Sequence, residues 1–185
     1  LPTIQKVITS GGKAIIMSHL GRPKNGFEEK FSLKHTTKHL SNLLKTEVNF
    51  SIDCIGEKTS LDVSKMKNGD VLVLENLRFH SQEKLGDKDF AKKLAEHGDL
   101  YVNDAFGTAH RAHASTSIIA NYFPKNKYFG LLLNKEINNL ETALENPKRP
   151  FTAIIGGAKI TGKIDTITSL LKKVDNLIIG GGMAY

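Results

Sequence analysis

The sequence has few cysteines and no long apolar runs, the features that point to secreted or membrane proteins. It contains one cysteine, Cys54, no tryptophan and only 7 % aromatic residues. A lone cysteine excludes an internal disulfide framework and a cysteine-based zinc site, and it is typical of a reducing compartment. The apolar runs are short, such as 71–74 and 153–155, whereas a membrane helix needs about 20 apolar residues. We therefore expect a cytoplasmic protein that does not cross a membrane.

The first residues also lack the basic-then-apolar layout of a secretory signal. Residue 1 is leucine rather than methionine, so we expect the chain to be part of a longer protein. Its 185 residues, 39 % of them hydrophobic and 24 % charged, suit one domain or one domain and part of a second. This composition excludes a disordered or fibrous chain.

Positive charge exceeds negative charge, with 26 Lys and Arg residues against 19 Asp and Glu residues and a net charge of +7. Such a balance fits three classes of partner: nucleic acid, an anionic membrane surface or a small anionic substrate. Composition alone leaves these classes open. The positions of the charges along the chain must separate them.

Short apolar runs bounded by Gly, Asp or Asn alternate with helical patterns along the chain. They predict strands at 14–18, 48–51, 71–74, 100–103, 128–132, 151–155 and 176–179. Helices are predicted after a Ser32 cap, from an Asp87 cap to Gly98, over 134–145 and after Gly162. This order predicts an α/β fold, a doubly wound parallel sheet in a Rossmann-like arrangement of three layers.

The clearest boundary lies at 145–150, where two prolines interrupt the pattern. It divides the chain into an N-terminal lobe at 1–133, an interdomain helix and linker at 134–149, and the start of a second lobe at 150–185.

Basic residues follow three of the predicted strands. His19 and Arg22 come after the first, Arg78 after the third and Arg111 after the fourth. Because the carboxyl ends of parallel strands share one edge of a sheet, these four side chains are expected to converge there. Arginine pairs with carboxylate or phosphate oxygens through its planar fork, so the sequence predicts a site for a small, multiply charged anion.

A simpler interpretation stands beside this one. A single arginine in such a loop is more often a solvated charge, and the prediction therefore depends on three loops sharing one edge. Glu75 and Asp104 are expected only to hold neighbouring basic side chains in place.

A second candidate site is rich in glycine. Gly157 to Lys163 matches the phosphate-binding pattern G-x-x-x-x-G-K between a strand and a helix. Ile164, however, stands where that motif needs a hydroxyl group for Mg²⁺. A P-loop NTPase thus stays an alternative, as does a basic nucleic-acid-binding module, although few aromatic residues accompany the arginines.

Five motifs in a fixed order carry a resemblance to a known family. They are Ser18–Pro23, Leu74–Phe79, Asn103–His113, Gly156–Lys159 and Gly180–Ala184. Together they resemble the phosphoglycerate kinase family over essentially the whole chain. The resemblance implies a two-lobed enzyme of glycolysis and gluconeogenesis. Such an enzyme exchanges a phosphoryl group between ATP and the carboxylate of 3-phosphoglycerate, giving ADP and 1,3-bisphosphoglycerate.

The resemblance also implies roles for individual residues. The four basic side chains named above resemble the family's phosphoglycerate site, and Lys159 resembles the lysine that stabilises the phosphoryl group in transfer. The residues that resemble the nucleotide pocket are Gly157, Ala158, Lys163, Gly181 and Gly182. Mg²⁺ is expected with the nucleotide, bound by a residue outside this chain, which itself supplies no metal ligand. A monomer without nucleic-acid partners is expected, and the chain alone is expected to be inactive.

Overall fold

The structure is a computed structural model that describes residues 1–24, 26–159 and 161–185. The chain forms two compact units, Leu1–Asn134 and Lys135–Tyr185. The elements of the first are α1 (Pro2–Thr9), β1 (Ala14–Ile16), α2 (Lys34–Leu44), β2 (Val48–Ser51), α3 (Glu57–Ser64), β3 (Val71–Leu74), α4 (Ser81–Leu85), α5 (Lys88–Ala95), β4 (Tyr101–Asn103) and β5 (Lys127–Phe129). Helix α6 (Leu131–Glu145) begins in this unit, and β6 (Thr152–Gly156), α7 (Ile164–Leu171) and β7 (Asn176–Gly180) follow it.

Strand β3 is the centre of the first unit. It lies between β1 and β2 and pairs in parallel with both, so that Val71 faces Ala14 on one side and Val48 on the other. Because side chains alternate along a strand, Leu72 and Leu74 enter one apolar cluster and Val71 enters another.

Helices supply the rest of both clusters. The first contains α5 residues such as Phe90 and Leu94, and the second contains Leu44 of α2 with Val7 and Ile8 of α1 packed against it. The sheet is therefore covered by helices on both faces, which confirms the parallel α/β arrangement in three layers. Because both faces of β3 are buried, β3 is apolar at every position.

The strands do not form one continuous sheet among the described residues. β4 pairs in parallel with β5, and β6 pairs in parallel with β7, each as a separate two-stranded sheet. The α/β class predicted from the alternation of strands and helices is confirmed. The hydrogen bonds, however, divide the strands among three sheets instead of one.

The boundary between β5 and α6 differs from the prediction. The sequence predicts a strand over 128–132 and a helix from 134, but the strand ends at Phe129 and the helix begins at Leu131. The reason lies far along the chain: Asp104 Oδ1 accepts hydrogen bonds from the amides of Leu132 at 2.8 Å and Leu133 at 3.1 Å. These bonds satisfy the free amides of a helix N-terminus, and α6 starts there.

Two predicted helix caps are present. Ser32 is extended (φ −65°, ψ 134°) and its Oγ accepts the amide of Lys34 at 3.2 Å, while Leu33 between them is already helical. Asp87 Oδ1 accepts the amide of Phe90 at 2.7 Å at the start of α5. Both caps thus form where the residue types indicate.

An acidic side chain ties together the segments that lead into β6 and β7 in the second unit. Asp175, ahead of β7, accepts the amide of Phe151 at 2.6 Å and pairs with Arg149 at 2.9 Å. No helix among the described residues has the length and apolarity to cross a membrane.

Candidate functional site

The first unit brings the four predicted basic side chains together at the ends of its strands. The charge of Arg78 acts on His19, and Arg22 and Arg111 in turn act on Arg78. A fifth side chain, His113, joins them through its interactions with His19, Arg78 and Arg111. We call these five residues the basic cluster. The four predicted side chains thus interact with one another, although β4, the strand before Arg111, belongs to a different sheet from β1 and β3.

Arg78 is the most constrained member of the basic cluster. Its Nη1 donates to the carbonyl of Gly21 at 2.8 Å. Its Nε is buried and has no hydrogen-bond partner among the described residues. Burial lowers the pKa of Arg78, and the charges of Arg111 and Arg22 lower it further. A buried donor without a partner and a crowd of like charges both favour an anion at this position.

The two histidines of the basic cluster respond to the same field. Burial is the main cause of the lowered pKa of His19, with Arg78, His113 and Arg111 as further causes. The pKa of His113 is also lowered, first by burial, and Glu83 opposes the shift while the arginines add to it. Both rings therefore favour the neutral form more than a free imidazole does.

Glu83 gives the cluster a buried countercharge that the sequence pattern did not reveal. Its side chain is 3 % exposed, and it accepts the Ser115 hydroxyl at 2.6 Å and the Ser115 amide at 3.0 Å. His113 Nδ1 lies 3.7 Å from Glu83 Oε1. The sequence places Glu83 among polar residues of a short helix, which gives no signal of burial.

Gly21 allows the loop that carries His19 and Arg22 to pack closely. It adopts a left-handed conformation (φ +63°), and a Cβ at this position would overlap the ring of Phe31. Only glycine combines that backbone angle with so close an approach.

The two acidic residues of this region do not hold basic side chains, so that expectation is wrong. Glu75 is 5 % exposed and accepts the Ser32 hydroxyl at 2.7 Å and the Leu33 amide at 2.8 Å. Asp104 Oδ2 accepts the Thr3 hydroxyl at 2.6 Å, and its Oδ1 caps α6. Both carboxylates fix the main chain around the site instead.

In the second unit the predicted nucleotide residues lie beside one another. Gly157 (φ +151°) and Gly181 (φ +67°) need conformations that favour glycine. A Cβ on Gly181 would stand 3.2 Å from Gly157 O, and one on Gly182 would stand 3.4 Å from the Cα of Ala158. The turns after β6 and β7 therefore pack against each other through bare main chain.

The two lysines of this unit differ in their surroundings. Lys163 Nζ donates to the carbonyl of Gly156 at 2.5 Å, whereas Lys159 is exposed on the turn after β6. Ile160, inside the predicted phosphate loop at 157–163, lies outside the described residues. Lys163 thus reaches back across the loop, and Lys159 is open to a ligand.

One further group of metal-ligating residue types is present, formed by Asp53, Cys54 and His80. Their ligand atoms lie within 4.8 Å of one another, and Asp53 Oδ1 is 2.7 Å from His80 Nε2. Burial, together with the neighbouring Asp53 charge, raises the pKa of the Cys54 thiol. The hydrogen bond between Asp53 and His80 joins the segment after β2 to the segment after Arg78.

Comparison with known proteins adds to this geometry. The family model for phosphoglycerate kinase matches residues 1–185. A phosphoglycerate kinase of Chlorobaculum tepidum is 53 % identical over 185 residues, and one of Dictyoglomus turgidum is also 53 % identical. Each alignment covers 100 % of this chain and 46 % of the relative. The chain thus spans about half the length of the curated relatives it matches.

Solved structures show the same likeness. Phosphoglycerate kinase from Coxiella burnetii superposes with a TM-score of 0.82 at 42 % identity, covering 98 % of this chain and 45 % of that chain. The enzyme from Pyrococcus horikoshii gives a TM-score of 0.83 at 32 % identity, with 98 % and 46 % covered. Both likenesses extend through the two compact units.

Proposed function

Because this chain belongs to the phosphoglycerate kinase family, we propose that the full-length protein transfers a phosphoryl group between ATP and 3-phosphoglycerate. The products are ADP and 1,3-bisphosphoglycerate, and the reaction serves glycolysis and gluconeogenesis. The basic cluster of the first unit binds the phosphoglycerate through His19, Arg22, Arg78 and Arg111. The glycine-lined turns of the second unit bind the nucleotide.

The observation that carries this proposal is the state of Arg78. One end of its guanidinium is fixed on Gly21 O, and its buried Nε has no partner among the described residues. Arg22 and Arg111 bring further positive charge. A phosphate or carboxylate group would pair with these cations and offset the repulsion among the three guanidinium groups.

The nucleotide assignment is supported by the chemistry of the second unit. The exposed Lys159 is free to reach a transferring phosphoryl group, and Lys163 lies against the turn that it would share with the nucleotide phosphates. Gly157, Gly181 and Gly182 let the two turns pack closely, which fixes the main chain beside these lysines.

The reaction needs little covalent work from the protein. An oxygen of the substrate carboxylate attacks the γ-phosphorus of ATP, the bond from that phosphorus to the β-phosphate oxygen breaks, and ADP leaves. The protein orients the two reactants and neutralises the charge on the oxygens between them. Lys159 and the arginines do this without a nucleophilic side chain.

Mg²⁺ accompanies ATP and ADP in this proposal. The turn at 156–163 offers main-chain groups and two lysines but no carboxylate. This donor set suits phosphate rather than a divalent cation, so the segment would bind the phosphates and leave the ion to the nucleotide and to residues elsewhere.

We also propose that the protein acts in the cytoplasm as a monomer. The single, buried Cys54 fits a reducing compartment, and residues of one chain build each candidate site. The rival P-loop NTPase and nucleic-acid-binding module are not favoured, because the family match covers all 185 residues.

The test is a steady-state assay of the full-length protein with ATP and 3-phosphoglycerate. Formation of 1,3-bisphosphoglycerate is followed by coupling it to reduction by NADH. We expect ADP formation that depends on 3-phosphoglycerate, and ADP formation that is indifferent to it would overturn the proposal. The 185-residue chain alone is expected to show no turnover.

A variant tests the assignment of the two ligands. Arg111→Ala should weaken phosphoglycerate binding more than tenfold in calorimetry and leave nucleotide binding almost unchanged. The exposed Lys92 on α5 offers a control of equal charge change, Lys92→Ala, which should affect neither ligand. An equal loss of both ligands in Arg111→Ala would contradict the assignment.

A further inference from the structure

Asn76 is a polar side chain in a place where the sheet otherwise buries apolar ones. It stands two residues after the end of the central strand β3 and is 0 % exposed. Its neighbours Leu74 and Leu77 are also buried. An amide at such a position is stable only when its hydrogen-bonding groups have partners.

The partners of Asn76 lie on three different segments. Its Nδ2 donates to Leu20 O at 2.8 Å and to Phe31 O at 2.9 Å. Its Oδ1 accepts the amide of Arg78 at 3.0 Å. One side chain therefore joins the loop that carries His19 and Arg22, the segment that enters α2, and the turn that carries Arg78.

Two of these segments, the loop with His19 and Arg22 and the turn with Arg78, meet again at the basic cluster. The Arg78 guanidinium donates a hydrogen bond to Gly21 O at 2.8 Å, and Gly21 follows Leu20, whose carbonyl Asn76 binds. The main chain adds a bond from Leu77 N to Ser18 O at 3.1 Å. Asn76 thus fixes the base of Arg78 and the loop on which its tip rests.

Glu75 holds Asn76 itself in place. Its Oε1 accepts the Asn76 amide at 2.7 Å and the Leu33 amide at 2.8 Å. The Asn76 side chain and the Glu75 carboxylate therefore secure opposite ends of the segment Phe31–Leu33, and Phe31 packs against Gly21.

From this geometry we infer that Asn76 is a positioning residue for phosphoglycerate. It sets the distance between the guanidinium of Arg78 and the loop with His19 and Arg22, without touching the ligand. The inference rests on the proposed function of the basic cluster. Its physical basis is that charged partners act on a substrate only when their spacing matches the oxygens, and a shift of about 1 Å can cost about 100-fold in rate.

The test uses Asn76→Asp in the full-length protein. Aspartate has the shape of asparagine but replaces both N–H donors with an oxygen that faces the carbonyls of Leu20 and Phe31. We expect KM for 3-phosphoglycerate to rise at least about tenfold, whereas KM for ATP stays within about twofold. Calorimetry should show the same split between the two ligands.

Thr59→Val is the matched control. Thr59 is also 0 % exposed, and its hydroxyl lies 3.1 Å from Asp53 O and 3.2 Å from Ile55 O, neither of which belongs to the basic cluster. Losing these bonds should lower the urea midpoint of unfolding but change neither KM. A purely structural role for Asn76 predicts that both variants behave alike.

The outcomes are distinct from a failure of the proposed function. A wild-type protein without 3-phosphoglycerate-dependent turnover overturns both ideas. An active wild type with an Asn76→Asp variant whose two KM values rise equally, or stay unchanged, overturns only the positioning role. If Asn76→Asp does not fold, Asn76→Ser replaces it under the same criteria, and failure of both to fold assigns Asn76 to folding and rejects the inference.

Discussion

Replacing Asp104 with alanine should destabilise the first unit through the start of α6. The carboxylate binds three groups at once: the Thr3 hydroxyl at 2.6 Å and the amides of Leu132 and Leu133 at 2.8 and 3.1 Å. Thr3 Oγ1 in turn accepts the Leu131 amide at 3.0 Å. The variant removes the whole arrangement and leaves the first turn of the helix without its acceptor.

The expected size follows from these contacts. Loss of a helix cap costs about 1 kcal/mol, and loss of a carboxylate at a helix N-terminus costs about 0.5 kcal/mol more. The bond to Thr3 adds about 0.5 to 1 kcal/mol. Together these give about 2 kcal/mol, which corresponds to a fall of about 1 M in the urea midpoint for a slope of about 2 kcal/mol per M.

The measurement is urea unfolding followed by circular dichroism. Asp104→Asn keeps the shape and one acceptor oxygen, so its loss should be about half as large. Gly130→Ala provides a second check, because a Cβ there would overlap the Asp104 side chain. Gly130→Ala should lower the free energy of unfolding by about 1 to 3 kcal/mol in the wild type, and by less in the Asp104→Gly variant. A midpoint for Asp104→Ala within about 0.2 M of wild type refutes the reasoning.

Three further predictions concern ionisable groups. Cys54, the one cysteine of the sequence, is fully buried and its thiol pKa is raised. Its rate of alkylation should therefore rise in parallel with the fraction of protein unfolded by urea, and rapid labelling of the native state would contradict this. Burial and, after it, cationic neighbours lower the pKa of His19 and His113. An anion that offsets those cations should raise both pKa values, so phosphoglycerate binding near pH 6.5 should take up protons. Calorimetry in buffers of different ionisation enthalpy measures this uptake, and a heat that does not depend on the buffer contradicts it. Burial lowers the pKa of His97 in the folded protein. The contribution of the neutral His97 to stability is therefore present above about pH 6.5 and is lost as the pH falls through the lower folded pKa. His97→Gln should flatten the decline of the urea midpoint between pH 7 and 5, and an unchanged decline rules this out.

Much of the fold was predictable from local pattern. Strands β2 and β3 have the predicted bounds. β3 is apolar and buried at every position, which is the pattern of a central strand. The cap at Asp87 was predictable because a carboxylate directly before a helical pattern accepts a free amide of the first turn, here that of Phe90. Arg78 and Arg111 interact as predicted, but the strands before them, β3 and β4, belong to separate sheets among the described residues. The rule that parallel strands of one sheet share an edge therefore does not by itself account for their proximity.

The rest depended on residues far apart in the chain. The start of α6 is set by Thr3 and Asp104, which no window around Leu131 contains. Likewise, Glu83 is buried because Ser115 comes to it from another segment. A polar residue in a short surface-like helix carries no local sign of such a partner, and its role becomes visible only in three dimensions.

The pairing of β3 has a consequence for how the protein is made. Its two neighbours, β1 and β2, both precede it, so the sheet can close as soon as residue 74 is available. The anion site, by contrast, needs Arg111. During synthesis on the ribosome the central sheet is therefore expected to assemble before the growing chain gains affinity for phosphoglycerate, and ligand capture by stalled chains of increasing length would report when that step is complete.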